Sequence, residues 1–134
     1  MPMTHDQILR TVYELYAATG VGDFDRAEEM LSDDLVITEA NTLPMAGVYK
    51  GRTALRKLYG KVMGMMDVAG LNRVQTVTGG DYAVTILSFE FQDKTLAPAH
   101  LCEMYRFRDG KICEIPPYYF DSAPIIAACR AKTG

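Results

Sequence analysis

The stretch Ala99-His100-Leu101-Cys102-Glu103-Met104-Tyr105-Arg106-Phe107-Arg108-Asp109-Gly110-Lys111-Ile112-Cys113-Glu114-Ile115 decides how this chain folds. Two runs rich in apolar residues flank Asp109-Gly110, a dipeptide suited to the positive-φ positions of a tight hairpin turn. The pattern predicts strands over 98–108 and 111–116. Successive side chains of a strand point to opposite faces, so Glu103 shares a face with Leu101, Tyr105 and Phe107. A carboxyl group among core-facing apolar side chains is costly to ionise. It must be paired, neutral or functional. The run Leu35-Val36-Ile37-Thr38-Glu39 repeats the situation, because Glu39 falls on the face of Leu35 and Ile37.

Working outward from the hairpin, strands are predicted over 71–78 and 82–92, joined by Gly79-Gly80-Asp81, which with the first pair make a four-strand antiparallel meander. Upstream the period is helical. Thr4-His5-Asp6-Gln7 reads as a capping box. Ile8, Val12, Leu15, Tyr16 and Thr19 follow on one face, and Gly20 is placed to end the helix. A short second helix follows Asp23, with Phe24, Ala27, Met30 and Leu31 inward, and Ser32-Asp33-Asp34 breaks it. Residues 35–40 are predicted as a strand and Asn41 to Tyr49 as a loop. Gly51-Arg52-Thr53 opens a third helix with Leu55, Leu58, Tyr59, Val62 and Met66 on its stripe. Pro116-Pro117 ends the last strand, and Asp121 is placed to cap a C-terminal helix over Ser122 to Arg130. Helices segregated from a meander argue an α+β fold. We expect one domain over residues 1–134. In strand 82–92, Thr85, Leu87, Phe89 and Phe91 lie on one face and Tyr82, Val84 and Ile86 on the other. A second apolar face needs a cover, which predicts a homodimer packed through the sheet.

Hydrophobic residues make up 49% of the 134 and charged residues 23%, the balance of an ordinary globule. A net charge of -3 and scattered Lys and Arg argue against a nucleic-acid groove or an anionic membrane surface. No apolar run approaches membrane-spanning length, and Met1 to Asp6 lacks the basic and apolar regions of a signal peptide. Cys102, Cys113 and Cys129 are odd in number and form no C-x-x-C, which fits free thiols in a cytoplasmic protein. Neither a His/Cys cluster nor a Gly-rich phosphate loop is present, so neither metal nor nucleotide cofactor is expected.

Three segments carry a family resemblance. They are Gly22-Asp23-Phe24-Asp25 through Leu31-Ser32-Asp33-Asp34, Gly51-Arg52 at the start of the third helix, and Tyr105 through Ile112. Their order and spacing resemble the nuclear-transport-factor-2-like superfamily, which includes ketosteroid isomerase and the SnoaL-like polyketide cyclases. The resemblance implies a cone-shaped α+β fold, with three N-terminal helices on a curved, mostly antiparallel sheet and a short C-terminal helix. It also implies an acid/base site. The catalytic base of ketosteroid isomerase falls on Glu39, after Asp33-Asp34, and its hydrogen-bond-donating acid on Glu103, before Arg106-Phe107. The oxyanion tyrosine falls on Leu15, with Tyr16 one residue later and about 100° round the helix. The tail Pro117-Tyr118-Tyr119-Phe120-Asp121 is similar to the late aromatic-plus-aspartate segment of the cyclases, which implies an acid/base role for Asp121.

Each residue also has a plainer reading. Glu39 could be solvated at a strand end or paired with Arg52 or Arg56. Glu103 could pair with Arg73 or Arg106, or face outward after a one-residue slip. Glu90 fits a strand end, His100 an interface or structural position, and Asp121 a helix cap. Tyr16, Tyr59, Tyr118 and Tyr119 could line a pocket or simply fill the core, and Met63 fits a pocket wall or the core. The expected function is a cofactor-independent isomerase, cyclase or dehydratase acting next to a carbonyl on a small apolar polyketide-, terpenoid- or steroid-like molecule. The alternative is a ligand-binding or interaction module of the same fold.

Overall fold

The computed structural model describes residues 3–133; Met1, Pro2 and Gly134 of the expected domain lie outside the described residues. The chain runs through helix α1 (His5–Gly20), helix α2 (Phe24–Glu28), strands β1 (Leu31–Glu39) and β2 (Gly47–Lys50), and helix α3 (Ala54–Met65). It continues through β3 (Val68–Gly79), β4 (Tyr82–Phe91), β5 (Ala99–Arg108), β6 (Lys111–Ile115), β7 (Pro117–Tyr119) and helix α4 (Ala123–Thr133). The helices pack on one face of a sheet ordered β2-β1-β6-β5-β4-β3, with β7 paired to β5. This is the expected α+β cone.

Local signals explain the element starts. Thr4 and Gln7 form the complete capping box of α1, and Asp23 accepts a hydrogen bond from the Arg26 amide at the start of α2. Asp109 and Gly110 take the two positive φ values (52° and 78°) that the β5–β6 hairpin turn requires. The meander is present as β3 to β6, but the sheet extends beyond it. β1 starts at Leu31, four residues earlier than predicted, so Met30 and Leu31 leave the helical stripe. β1 then runs parallel to β6, with Ile37 opposite Ile115. The predicted loop contains β2, whose Gly47 pairs with Glu39.

Two irregularities shape the concave face. β3 carries bulges between Val68 and Gly70 and between Arg73 and Gln75, which bend and twist the strand. Pro116-Pro117 does not end the sheet. The chain turns there and re-pairs as β7, with Glu103 opposite Pro117 and Leu101 opposite Tyr119. Proline is tolerated because it stands at the first position of the short strand. Ile8, Val12 and Leu15 of α1, Leu55, Leu58 and Val62 of α3, Ile37, Leu87, Leu101, Phe107 and Ile112 of the sheet, and Ile125 of α4 fill the core between the layers. No helix of the described residues is long and apolar enough to cross a membrane.

Candidate functional site

Alternation on β1 and β5 aims both glutamates at the concave side. Glu39 is 4% exposed, and its Oε1 has no hydrogen-bond partner among the described residues. Neither predicted arginine reaches it. Arg52 lies 3.8 Å from Asp33, and Arg56 is held by Asp25 and Glu28. Burial, with the nearby charge of Glu103 second, pushes the Glu39 carboxyl up to about 7. Glu103 likewise makes no salt bridge among the described residues, and Arg106 turns outward to Glu114 at 3.9 Å. Its partners are phenols. Tyr16 donates to Glu103 Oε1 at 2.5 Å. Tyr105 donates to Tyr16 at 2.8 Å and approaches the same carboxylate oxygen at 3.4 Å. Burial raises the Glu103 carboxyl, and the two tyrosine hydroxyls oppose that shift by stabilising the anion.

The two acids share an inner chamber of about 50 Å³, walled by Leu55, Leu58, Val62, Ile115 and Tyr119. A vestibule of about 670 Å³ lies beside it, lined in part by Tyr16, Phe24, Val68 and Arg73. Tyr59, Met63, Leu71 and Phe89 border both spaces. The vestibule has the volume of a small-molecule site, whereas the chamber has room for little more than one or two waters. Tyr119 stacks parallel to Phe89, with ring centroids 6.4 Å apart, and Tyr59 packs edge-on against Phe24 at 5.4 Å. Burial and the Glu103 charge push the Tyr59 hydroxyl up to about 12. The hydroxyls of Tyr16 and Tyr119 are driven higher still, by burial first. These groups stay protonated at neutral pH; Tyr16 donates to Glu103, and the hydroxyls of Tyr59 and Tyr119 keep a proton to donate.

Of the predicted site residues, the structure brings Glu39, Glu103, Tyr16, Tyr59, Tyr119 and Met63 to these two spaces. The one-residue offset of Tyr16 does not turn it away; it reaches Glu103 while Leu15 packs in the core. Two residues fall elsewhere. Tyr118 is on the outer face of β7 and 60% exposed, because alternation places it opposite Tyr119. Asp121 is exposed beside Tyr118 and Phe120. Its carboxylate accepts the Ala123 amide at 2.9 Å, which occupies a free donor at the start of α4. Glu90 accepts a hydrogen bond from Ser88, and His100 is exposed opposite Ser88. Sequence reasoning did not give Tyr105 a site role, although its position two residues beyond Glu103 on the same strand face carried the signal. It also read Arg73 only as an ion-pair partner of Glu103.

The profile of the SnoaL-like domain matches residues 12–115. The chain belongs to the SnoaL-like family. This SnoaL-like chain has the nuclear-transport-factor-2-like fold of many solved structures. An NTF2-like protein from Burkholderia xenovorans is 19% identical over 95% of this chain and 98% of that one, with a TM-score of 0.76. An NTF2-like protein from Burkholderia thailandensis is 17% identical over 94% and 98%, with a TM-score of 0.78. TerC, co-crystallized with polyporic acid, is 14% identical over 92% and 98%, with a TM-score of 0.77. At these identities the likeness concerns the fold. A search of curated proteins finds no match to this chain.

Proposed function

We propose that this SnoaL-like protein is a cofactor-independent acid/base enzyme that moves a proton next to the carbonyl of a small apolar compound, of polyketide, terpenoid or steroid-like type. The observation that carries the reading is the pairing of two carboxyls, Glu39 buried and Glu103 half-buried, in unequal surroundings at one chamber. Two like charges close together in a low-dielectric site do not both ionise readily. Such a pair loses its two protons in separate steps, and the surroundings decide which carboxyl keeps the second one. Glu103 accepts from Tyr16, whose hydroxyl in turn accepts from Tyr105, with the Tyr105 hydroxyl 3.4 Å from the same carboxylate oxygen, and this favours its anion. Glu39 has an unpartnered oxygen, which favours its neutral form.

This assigns Glu103 as the base and Glu39 as the hydrogen-bonding acid, the reverse of the roles implied by the resemblance to ketosteroid isomerase. In the reaction, Glu103 takes a proton from the carbon next to the carbonyl, breaking that C–H bond. The electron pair moves onto the carbonyl oxygen, which receives a hydrogen bond or the proton from Glu39. Return of the proton to a different carbon completes an isomerisation; attack of the enolate on a second carbonyl completes a cyclisation. Tyr119 and Tyr59 supply further donors, and Met63 forms an adaptable edge between vestibule and chamber. The protein co-crystallized with polyporic acid supports a small organic ligand for this fold.

The test is deuterium exchange at carbon next to the carbonyl, followed by NMR in D2O across a panel of polyketide, terpenoid and steroid-like ketones. The wild-type protein should accelerate exchange for members of the panel, and Glu103→Gln should slow it by about 10²–10⁴-fold, the usual weight of a positioned general base. Absence of acceleration across the panel, or equal rates in Glu103→Gln, would leave a ligand-binding module. We also propose a homodimer through the sheet. That reading is supported by the exposed apolar side chains Val77, Tyr82, Ile86 and Tyr118 on the outer face.

A further inference from the structure

Arg73 is an exposed cation at the mouth of a mostly apolar vestibule. On β3 it stands opposite Leu87 of β4, and the bulge that follows it carries the chain past Val74, whose side chain is exposed. Its guanidinium lies 4.8 Å from the centroid of the Tyr16 ring, the same ring whose hydroxyl donates to Glu103. A cation held over an aromatic face has fewer free orientations to lose on binding. Among the described residues the Arg73 guanidinium makes neither a salt bridge nor a hydrogen bond, whereas Arg56, the other arginine of the vestibule, is held by Asp25 and Glu28. The remaining wall is mostly apolar and aromatic, with Phe24, Tyr59, Val68, Leu71 and Phe89. An uncommitted guanidinium presents five donors in a planar fork that fits a carboxylate bidentately.

We propose that the ligand of this site is an apolar acid, whose carboxylate or equivalent anionic group is bound by Arg73 in the vestibule while its reacting carbonyl enters the chamber of Glu39 and Glu103. The placement sorts the two ends of the molecule. An anion is disfavoured in the inner chamber, which already holds the carboxyls of Glu39 and Glu103, and is attracted at the mouth, one tyrosine ring away. This inference rests on the acid/base reading for the identity of the inner end, but the anion site itself is tested without turnover.

The experiment is calorimetric titration of the full chain with 2-naphthoate and with 2-naphthamide, two probes of one shape that differ in charge. Wild-type protein should bind naphthoate about 10–100-fold more tightly than naphthamide, the range of a charge-assisted hydrogen-bonded pair. Arg73→Gln should abolish that preference by weakening naphthoate far more than naphthamide, and Arg73→Lys should restore part of it. Equal affinity of wild type for the two probes, failure of naphthoate to bind, or an undiminished preference in Arg73→Gln would overturn the proposal. Glu103→Gln serves as the separating control. It should keep or strengthen the naphthoate preference, so a failed exchange assay with an intact preference rejects the enzyme and retains the anion site, and the converse result rejects Arg73 alone.

Discussion

Glu39 is the residue at which burial and chemistry conflict most. Its carboxyl is raised from an ordinary 4.5 to about 7, so the folded state binds a proton more tightly than the unfolded state does. The sign follows directly. The contribution of Glu39 to stability is fully present below about pH 4.5, fades as pH rises, and is gone above about pH 7. At 1.36 kcal/mol per pH unit, the difference amounts to roughly 3 kcal/mol. Glutamine is close in shape to neutral glutamic acid and does not ionise. Glu39→Gln should therefore match wild type near pH 4.5 and be more stable at pH 8 by up to that amount, measured by urea unfolding across the range. Parallel pH profiles for the two proteins would mean that Glu39 is solvated. The pattern of β1 made its inward direction legible, since Leu35 and Ile37 set the face. The lack of a partner was not legible, because it depends on Arg52 and Arg56 being engaged by acids at Asp25, Glu28 and Asp33.

At the scale of elements, periodicity reported what was local. Helix α1, the third helix and the meander stand where the apolar spacing and the Asp109-Gly110 turn placed them. The two short strands β2 and β7 were hidden because their evident local signals, Gly47 and Pro116-Pro117, are loop signals. Their pairing comes from strands distant in sequence, which supply the hydrogen bonds those segments need. Alternation also fixed the outer face. Val77 pairs with Val84 and then Met104 across β3, β4 and β5, and Ile86 pairs with Cys102 and then Tyr118 across β4, β5 and β7. Such a continuous apolar surface is covered at lowest cost by a second copy of itself. Sedimentation should find a dimer for wild type, and Ile86→Glu, which places a charge at its centre, should yield monomer with the helical content retained. A monomeric wild type would remove the sheet interface.

The site belongs to the whole molecule. Glu39 comes from β1, Glu103 and Tyr105 from β5, Tyr16 from α1, Tyr59 and Met63 from α3, and Tyr119 from β7. Tyr16 and Glu103 are 87 positions apart yet share a proton donor and acceptor. Sequence could nominate these residues singly, each with a plain alternative, but only the closure of helices over the curved sheet decides which alternatives survive. Tyr118 and Asp121 drop out because β7 and the start of α4 hold them outside. The same closure raises both carboxyls by burial, while the phenols of Tyr16 and Tyr105 oppose that shift at Glu103 alone, and on that difference the acid/base reading depends.

The most direct measurement is carbon-13 NMR of the glutamate side-chain carboxyls, titrated from pH 4 to 9 in wild type, Glu39→Gln and Glu103→Gln. The account predicts one carboxyl with a midpoint near 7 that vanishes in Glu39→Gln and moves to lower pH in Glu103→Gln, where the neighbouring charge is gone. A set of glutamates that all titrate close to the ordinary value of 4.5 would contradict it.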